Sequence, residues 1–171
     1  CNNLGNLYYF GQGVAQDYAM SRKYYKKSCV LNDRWGCYDL GYLYDKGQGV
    51  SQDYVKSHRY YKKACDLENK MGCHTLGYVY FKGQGGLKDY VRSRKYYEKS
   101  CVLKYGLGCR GLGYLYEKGL GVAQNYAIAH KLYKKSCDLE DGAGCTHIGY
   151  LYDKGLGVTQ NDAIARQYYK K

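Results

Sequence analysis

Three observations predict an all-α fold built as an α/α-hairpin repeat solenoid: a 36-residue period, a helical apolar stripe within it, and glycines where the chain must reverse. Cys1, Cys37, Cys73, Cys109 and Cys145 stand 36 residues apart, and Cys29, Cys65, Cys101 and Cys137 repeat at the same interval. The segment DLGYLYDKGQGVSQDYVKSHRYYKKAC from Asp39 to Cys65 returns as HIGYLYDKGLGVTQNDAIARQYYKK from His147 to Lys171. Stacked repeats share one growing core, so the 171 residues are expected to form a single repeat domain. Its units run 1–36, 37–72, 73–108 and 109–144, with a partial one at 145–171.

Cys37, Leu40, Gly41 and Tyr44 fall at i, i+3, i+4 and i+7, one face of a first helix of about ten residues. Gly47 and Gly49, with Gly83/Gly85, Gly119/Gly121 and Gly155/Gly157 in register, supply the freedom needed to end that helix and turn. Asp53 is a suitable N-cap for the second helix, as are Asp17, Asp89, Asn125 and Asn161 in the other copies. Tyr54, Ser57, Tyr61, Ala64 and Cys65 form its buried face, it closes near Leu67, and Gly72 is expected to permit the next reversal. Gly41 and its counterparts Gly5, Gly77, Gly113 and Gly149 lie inside first helices, where glycine costs about 1 kcal/mol relative to alanine. Close approach of the ring of Tyr61, or of Tyr25, Tyr97, Tyr133 and Tyr169, accounts for that recurring cost. The third turn, GlyGlyLeuLysAsp at residues 85 to 89, departs from the pattern of the others.

Nine cysteines without a CxxC pair argue against a zinc ribbon or a thioredoxin-like motif and for disulfides, hence an oxidising compartment. Cys29 precedes Cys37 by eight residues, as Cys65 does Cys73, Cys101 does Cys109 and Cys137 does Cys145. If one helix ends and the next begins between them, each pair can meet across the turn at bridging distance. Each bridge would contribute roughly 2.5 kcal/mol by loop entropy. Cys1 is left over. A thiolate metal site is the rival reading, and it fails on ligand count. His58, His74, His130 and His147 occupy different repeat positions, so no junction gains a third and fourth ligand and neither metal nor other cofactor is expected.

The formal charge of +12 favours acidic partners in general. Hydrophobic content rests on 25 tyrosines, and no apolar run approaches a membrane span. Cys1 opens within a repeat and Lys171 stops short of the next cysteine due, so the chain is expected to be a fragment, and a missing export signal carries no information.

The pattern CysxxLeuGlyxLeuTyrxxGlyxGlyVal, the AspTyr and TyrTyrLysLys that follow, and cysteines paired eight apart resemble the Sel-one-like repeat (SLR) family, relatives of tetratricopeptide repeats. More narrowly, the chain is similar to the Helicobacter cysteine-rich proteins. The resemblance covers the whole chain and implies a right-handed superhelix, secretion from a bacterium, and protein or peptide binding on the inner surface. It also implies two further possibilities described for that subgroup: penicillin binding with weak β-lactamase activity, and modulation of host immune cells.

Catalysis is not expected from the residues themselves. No serine has a lysine three positions on, SDN and KTG are missing, and zinc-hydrolase histidine spacings are missing too. GlyGlnGly and GlyLeuGly lack the frame of a phosphate loop. A second stripe on the first helix is the candidate contact surface, because its members change between copies while their neighbours repeat. It comprises Tyr38, Tyr42 and Asp45; His74, Tyr78 and Phe81; Arg110, Tyr114 and Glu117; and Thr146, Tyr150 and Asp153. First helices of hairpin solenoids commonly line a concave groove, where tyrosines offer rigid aromatic area with a polar tip. The expected partner is a protein or peptide, host-derived in one version, and the expected location is secreted or periplasmic. Lys26/Lys27, Lys62/Lys63 and Lys134/Lys135, with Lys99 and Lys171 in register, lie late in second helices, where cations complement the helix dipole on the outer face. A basic stripe for nucleic acid or acidic glycan is the alternative, and disulfides disfavour the nucleic acid.

Overall fold

The computed structural model describes residues 1–86 and 88–171. Leu87, inside the divergent third turn, lies outside the described residues. The chain packs as two compact units, Cys1–Leu76 and Gly77–Lys171. The first holds α1 (Asn2–Phe10), α2 (Tyr18–Val30), α3 (Arg34–Lys46), α4 (Tyr54–Asp66) and the start of α5 (Lys70–Lys82). The second holds the rest of α5, a 3-10 turn at Gln84–Gly86, α6 (Tyr90–Val102), α7 (Gly106–Lys118), α8 (Tyr126–Asp138), α9 (Gly142–Lys154) and α10 (Asp162–Tyr169). No strand occurs among the described residues. Within the first unit α1, α2, α3 and α4 pack each on the next, and within the second α6 to α10 do the same.

Local chemistry sets the ends of these helices. The side chains of Asp53, Asp89, Asn125 and Asn161 each accept a hydrogen bond from the backbone N–H three residues on, at 2.9–3.0 Å. Asp17 accepts from both Ala19 and Met20. These bonds satisfy donors that a helix N-terminus would leave unpaired. First helices end on a left-handed glycine, Gly47 at φ 68° being one. Gln52 pins the turn after it by donating from Nε2 to the Asp45 carbonyl at 2.7 Å, and Gln16, Gln124 and Gln160 make the corresponding bond.

The second reversal works differently from the sequence expectation. Gly72 does not make it; Gly72 is buried in the first turn of α5, where a Cβ would lie 3.0 Å from that of Ala64. Residues Asn32, Glu68, Lys104 and Glu140 turn the chain instead, with φ between 57° and 64°. Such values are uncommon for side-chain-bearing residues and need support from their surroundings. Here the N–H of Glu68 donates to the Cys65 carbonyl at 3.0 Å and that of Asn69 to the Ala64 carbonyl at 2.9 Å. First helices are also longer than expected, 13 residues in α3, because they begin three residues before the cysteine.

Across each tight turn a disulfide closes: Cys29–Cys37, Cys65–Cys73, Cys101–Cys109 and Cys137–Cys145, with Cα separations of 4.4–4.7 Å. Helices can come this close because small residues face each other. A side chain at Gly36 would collide with Ser28, and one at Gly144 with Ser136. Gly41 is likewise roofed by the Tyr61 ring, 2.9 Å from where a Cβ would stand. Tyr61 is 2% exposed and Tyr133 is fully buried. Burying a ring of this size contributes on the order of 4 kcal/mol.

A second tyrosine series, not singled out as stacked pairs in the sequence, stacks between the two helices of a hairpin. Tyr8 lies on Tyr24, Tyr44 on Tyr60, Tyr80 on Tyr96 and Tyr152 on Tyr168, with centroids 5.6–6.1 Å apart and planes within 13°. Lys56 and Arg92 cover the Tyr44 and Tyr80 rings. Three late lysines of the second helices are engaged within the chain: Lys63 donates to the Cys29 carbonyl at the end of α2, and Lys62 and Lys134 pair with Asp66 and Asp138 one turn on.

Candidate functional site on the first-helix face

The varying stripe is placed unevenly. In the first unit Tyr38, Tyr42 and His74 are half-buried and Asp45 is buried, its carboxylate 2.9 Å from Lys46 Nζ. In the second unit Tyr78 and Tyr150 are exposed, as is Thr146, whose hydroxyl donates to the Gly142 carbonyl. Phe81 and Tyr114 meet edge to face at 5.7 Å. Arg110 is drawn to Asp141 at 2.8 Å, and Asp153 pairs with Lys154.

Glu117 is 3% exposed. It accepts a 2.7 Å hydrogen bond from the Tyr133 hydroxyl, Lys118 Nζ lies 2.6 Å from its other oxygen, and His147 Nδ1 is 3.9 Å away. His147 stacks flat on the Tyr133 ring at 4.5 Å. Burial lowers the pKa of this imidazole, against the pull of the Glu117 carboxylate. Burial, followed by the Glu117 contact, raises that of the Tyr133 phenol. The group is filled and internally paired, so Glu117 stabilises its own neighbourhood and is poorly placed to meet a partner.

The corresponding place in the first unit is open. A cavity of about 340 Å³ is lined by Asn6, Tyr9 and Phe10 of α1, Tyr25 of α2, and Tyr38, Asp39 and Tyr42 of α3. Its floor is Tyr25, whose hydroxyl donates to Asn6 Oδ1 at 2.6 Å, and burial pushes the phenol up to about 12. Asp39 is the one charged residue in the lining. Its Oδ2 accepts a hydrogen bond from Asn2 Nδ2 at 2.7 Å, and Oδ1 takes none from the described residues. Burial raises its carboxyl to about 6, with the Asn2 bond opposing. Tyr9 closes the rim, its hydroxyl donating to Gln48 Oε1 at 3.1 Å.

Only Tyr38 and Tyr42 of this cavity belong to the stripe read from sequence. Asn6, Tyr9, Phe10, Tyr25 and Asp39 were missed as lining residues. A signal for Asp39 existed, since its position also varies between copies: Asn3, Asp39, Thr75, Gly111 and His147. Among the described residues no three His, Cys, Asp or Glu side chains converge as a metal site, and no helix is long and apolar enough to cross a membrane.

Hairpins of fixed length, each joined to the next by a disulfide and varied on one helix face, define a repeat scaffold whose changeable residues are separate from its framework. The Sel1 repeat matches residues 1–33, 36–69, 71–101, 106–141 and 142–171, and the chain belongs to that family. Among solved structures, it is similar to a protective antigen with an SLR fold present in uropathogenic Escherichia coli strains, at 35% identity and a TM-score of 0.94. That match covers 99% of this chain and 36% of the antigen, so the chain spans little more than a third of that relative's length. A Sel1 repeat protein of Oxalobacter formigenes is 28% identical with a TM-score of 0.91, over 99% of this chain and 69% of that one. Helicobacter pylori cysteine rich protein B is 34% identical over 76% of this chain and 93% of its own, with a TM-score of 0.61. No curated protein matches the chain in a sequence comparison. The expected family and its cysteine-rich relatives are thus found, and the four disulfides are consistent with an extracytoplasmic place.

Proposed function

We propose that the chain is an exported binding scaffold that holds a protein or peptide segment on its first-helix face, with secretion or the periplasm as its destination and a host protein as one class of partner. The observation that carries this reading is the tyrosine-lined cavity of the first unit. Its lining comes from three helices, mixes aromatic surface with a few polar groups, and falls in the size range of ligand sites. Within the second unit, first helices leave Tyr78 and Tyr150, of the same residue type, exposed. Rigid aromatic side chains lose little entropy on contact, which suits them to recognition. Four disulfides support export, because such bonds persist in oxidising compartments. The description of one relative as a protective antigen fits the same setting.

Selection of a displayed peptide library on the oxidised chain tests the reading. Enriched peptides should bind in solution and lose at least roughly tenfold in affinity on Tyr42→Ala or on Tyr78→Ala with Phe81→Ala, while helicity stays intact. Peptides that bind these variants unchanged, or no enrichment at all, would count against the face. Nitrocefin should remain unhydrolysed, since Ser28, Ser100 and Ser136 are buried against the disulfide turns.

A further inference from the structure

The cavity of the first unit differs from the corresponding places along the chain at several positions, and one of the exchanges removes a charge. The last residue of the first helix is lysine in four copies, Lys46, Lys82, Lys118 and Lys154, and Phe10 in the first. Three of those lysines sit over the tyrosine one turn back: Lys46 over Tyr42 at 5.7 Å, Lys82 over Tyr78 and Lys118 over Tyr114 at 5.8 Å. Lys118 also meets the buried carboxylate of Glu117. At Lys46 and Lys118 an ammonium provided by the chain itself thus stands between a tyrosine ring and the carboxylate of the preceding residue, Asp45 or Glu117. In the first copy Asn6 and Tyr9 replace that tyrosine and that acid, but the cavity brings the same two kinds of group together from other positions: the rings of Tyr9, Tyr25, Tyr38 and Tyr42 and the carboxylate of Asp39, with no lysine in the lining.

We propose that this cavity receives an alkylammonium group from outside, the side chain of a lysine in the bound segment. The proposal rests on the binding reading and names the chemistry of its anchor. The tyrosine faces attract a cation through their quadrupoles. Asp39 supplies the counter-charge from the lining itself. The free oxygen chooses among cations. A guanidinium prefers to bridge both oxygens of a carboxylate, and Asn2 already holds Oδ2, so Oδ1 alone is left, which suits an ammonium. Lys46 does not fill the cavity, because it pairs with Asp45.

The test is an NMR titration of the full oxidised chain with three acetylated, amidated tripeptides: Gly-Lys-Gly, Gly-norleucine-Gly and Gly-Arg-Gly. The lysine peptide should give saturable shifts at Asn6, Tyr38 and Tyr42, and bind at least roughly tenfold tighter than the norleucine peptide, with arginine between. Asp39→Asn should erase the advantage over norleucine. Phe10→Lys should do so too, by placing an ammonium of the chain's own at an exposed position of the lining. Equal binding of lysine and norleucine would overturn the ammonium anchor and leave the binding face standing. No saturable shift up to roughly 10 mM lysine peptide would overturn the anchor as well, and the library selection then decides the binding reading by itself.

Discussion

The junction of the first two repeats and that of the last two share a framework and differ in what covers one tyrosine. At the later junction His147 lies flat on Tyr133 and Glu117 takes the tyrosine's hydroxyl bond, so the space is filled. At the earlier one Asp39 holds the His147 position, Tyr9 holds that of Glu117, and Tyr25 forms the floor of a cavity. Disulfides and glycine contacts are the same at both. A repeat scaffold thus opens or closes a site through a few variable side chains, because the framework residues fix the backbone regardless of what stands at the variable positions. Gly111 is a third solution within the second unit: a side chain there would strike the Tyr97 ring.

The comparison can be broken most forcefully at the filled junction. Glu117→Ala leaves the Tyr133 hydroxyl buried without its acceptor and should cost about 3 kcal/mol in urea denaturation, whereas Tyr9→Ala at the equivalent position should cost far less. Equal costs would mean that the filled cluster adds nothing. Removing one disulfide comes next. Replacing Cys29 with Cys37, or Cys137 with Cys145, by alanine pairs should cost about 2.5 kcal/mol in either place, since the loops have the same length. Unequal losses would show that the frameworks are not equivalent.

Asp39→Asn should stabilise the chain by about 2 kcal/mol near neutral pH. A carboxyl held near 6 when folded binds protons that the unfolded chain, near 3.8, has released. Its charge therefore carries no penalty below the unfolded value, and stability is lost as pH rises through the folded one. The gain from asparagine should vanish near pH 4, and a gain independent of pH would exclude burial of charge as its cause. His147→Gln should act in the opposite sense and more weakly. Its lowered pKa means that the native imidazole resists protonation, so the parent loses stability as pH falls toward the depressed value and the variant loses less. Thermal melts of the two variants against the parent at about pH 7 and pH 5 would read both effects.

The parts of the molecule that were legible in the sequence are local ones. Helix caps act across two or three residues, the disulfides span eight, and Gly41 beneath Tyr61 recurs at every period, so spacing alone exposes them. Gly72 misled because a glycine near a turn and a glycine under a close helix look alike until the helices are placed. The stacked pairs from Tyr8/Tyr24 onward were hidden by the abundance of tyrosine, since in pairs such as Tyr60/Tyr61 one ring is buried and its neighbour stacks across the hairpin.

By itself the sequence determined the period, the all-helical hairpins, the caps and the four sulfur bridges, since each depends on residues close together or in strict register. Only the tertiary structure decided that Asp39 borders a cavity while His147 fills one, that Glu117 is withdrawn from the surface, and that non-glycine residues carry the second reversal. Those outcomes depend on how much space remains between side chains of three helices, a quantity that no single segment contains.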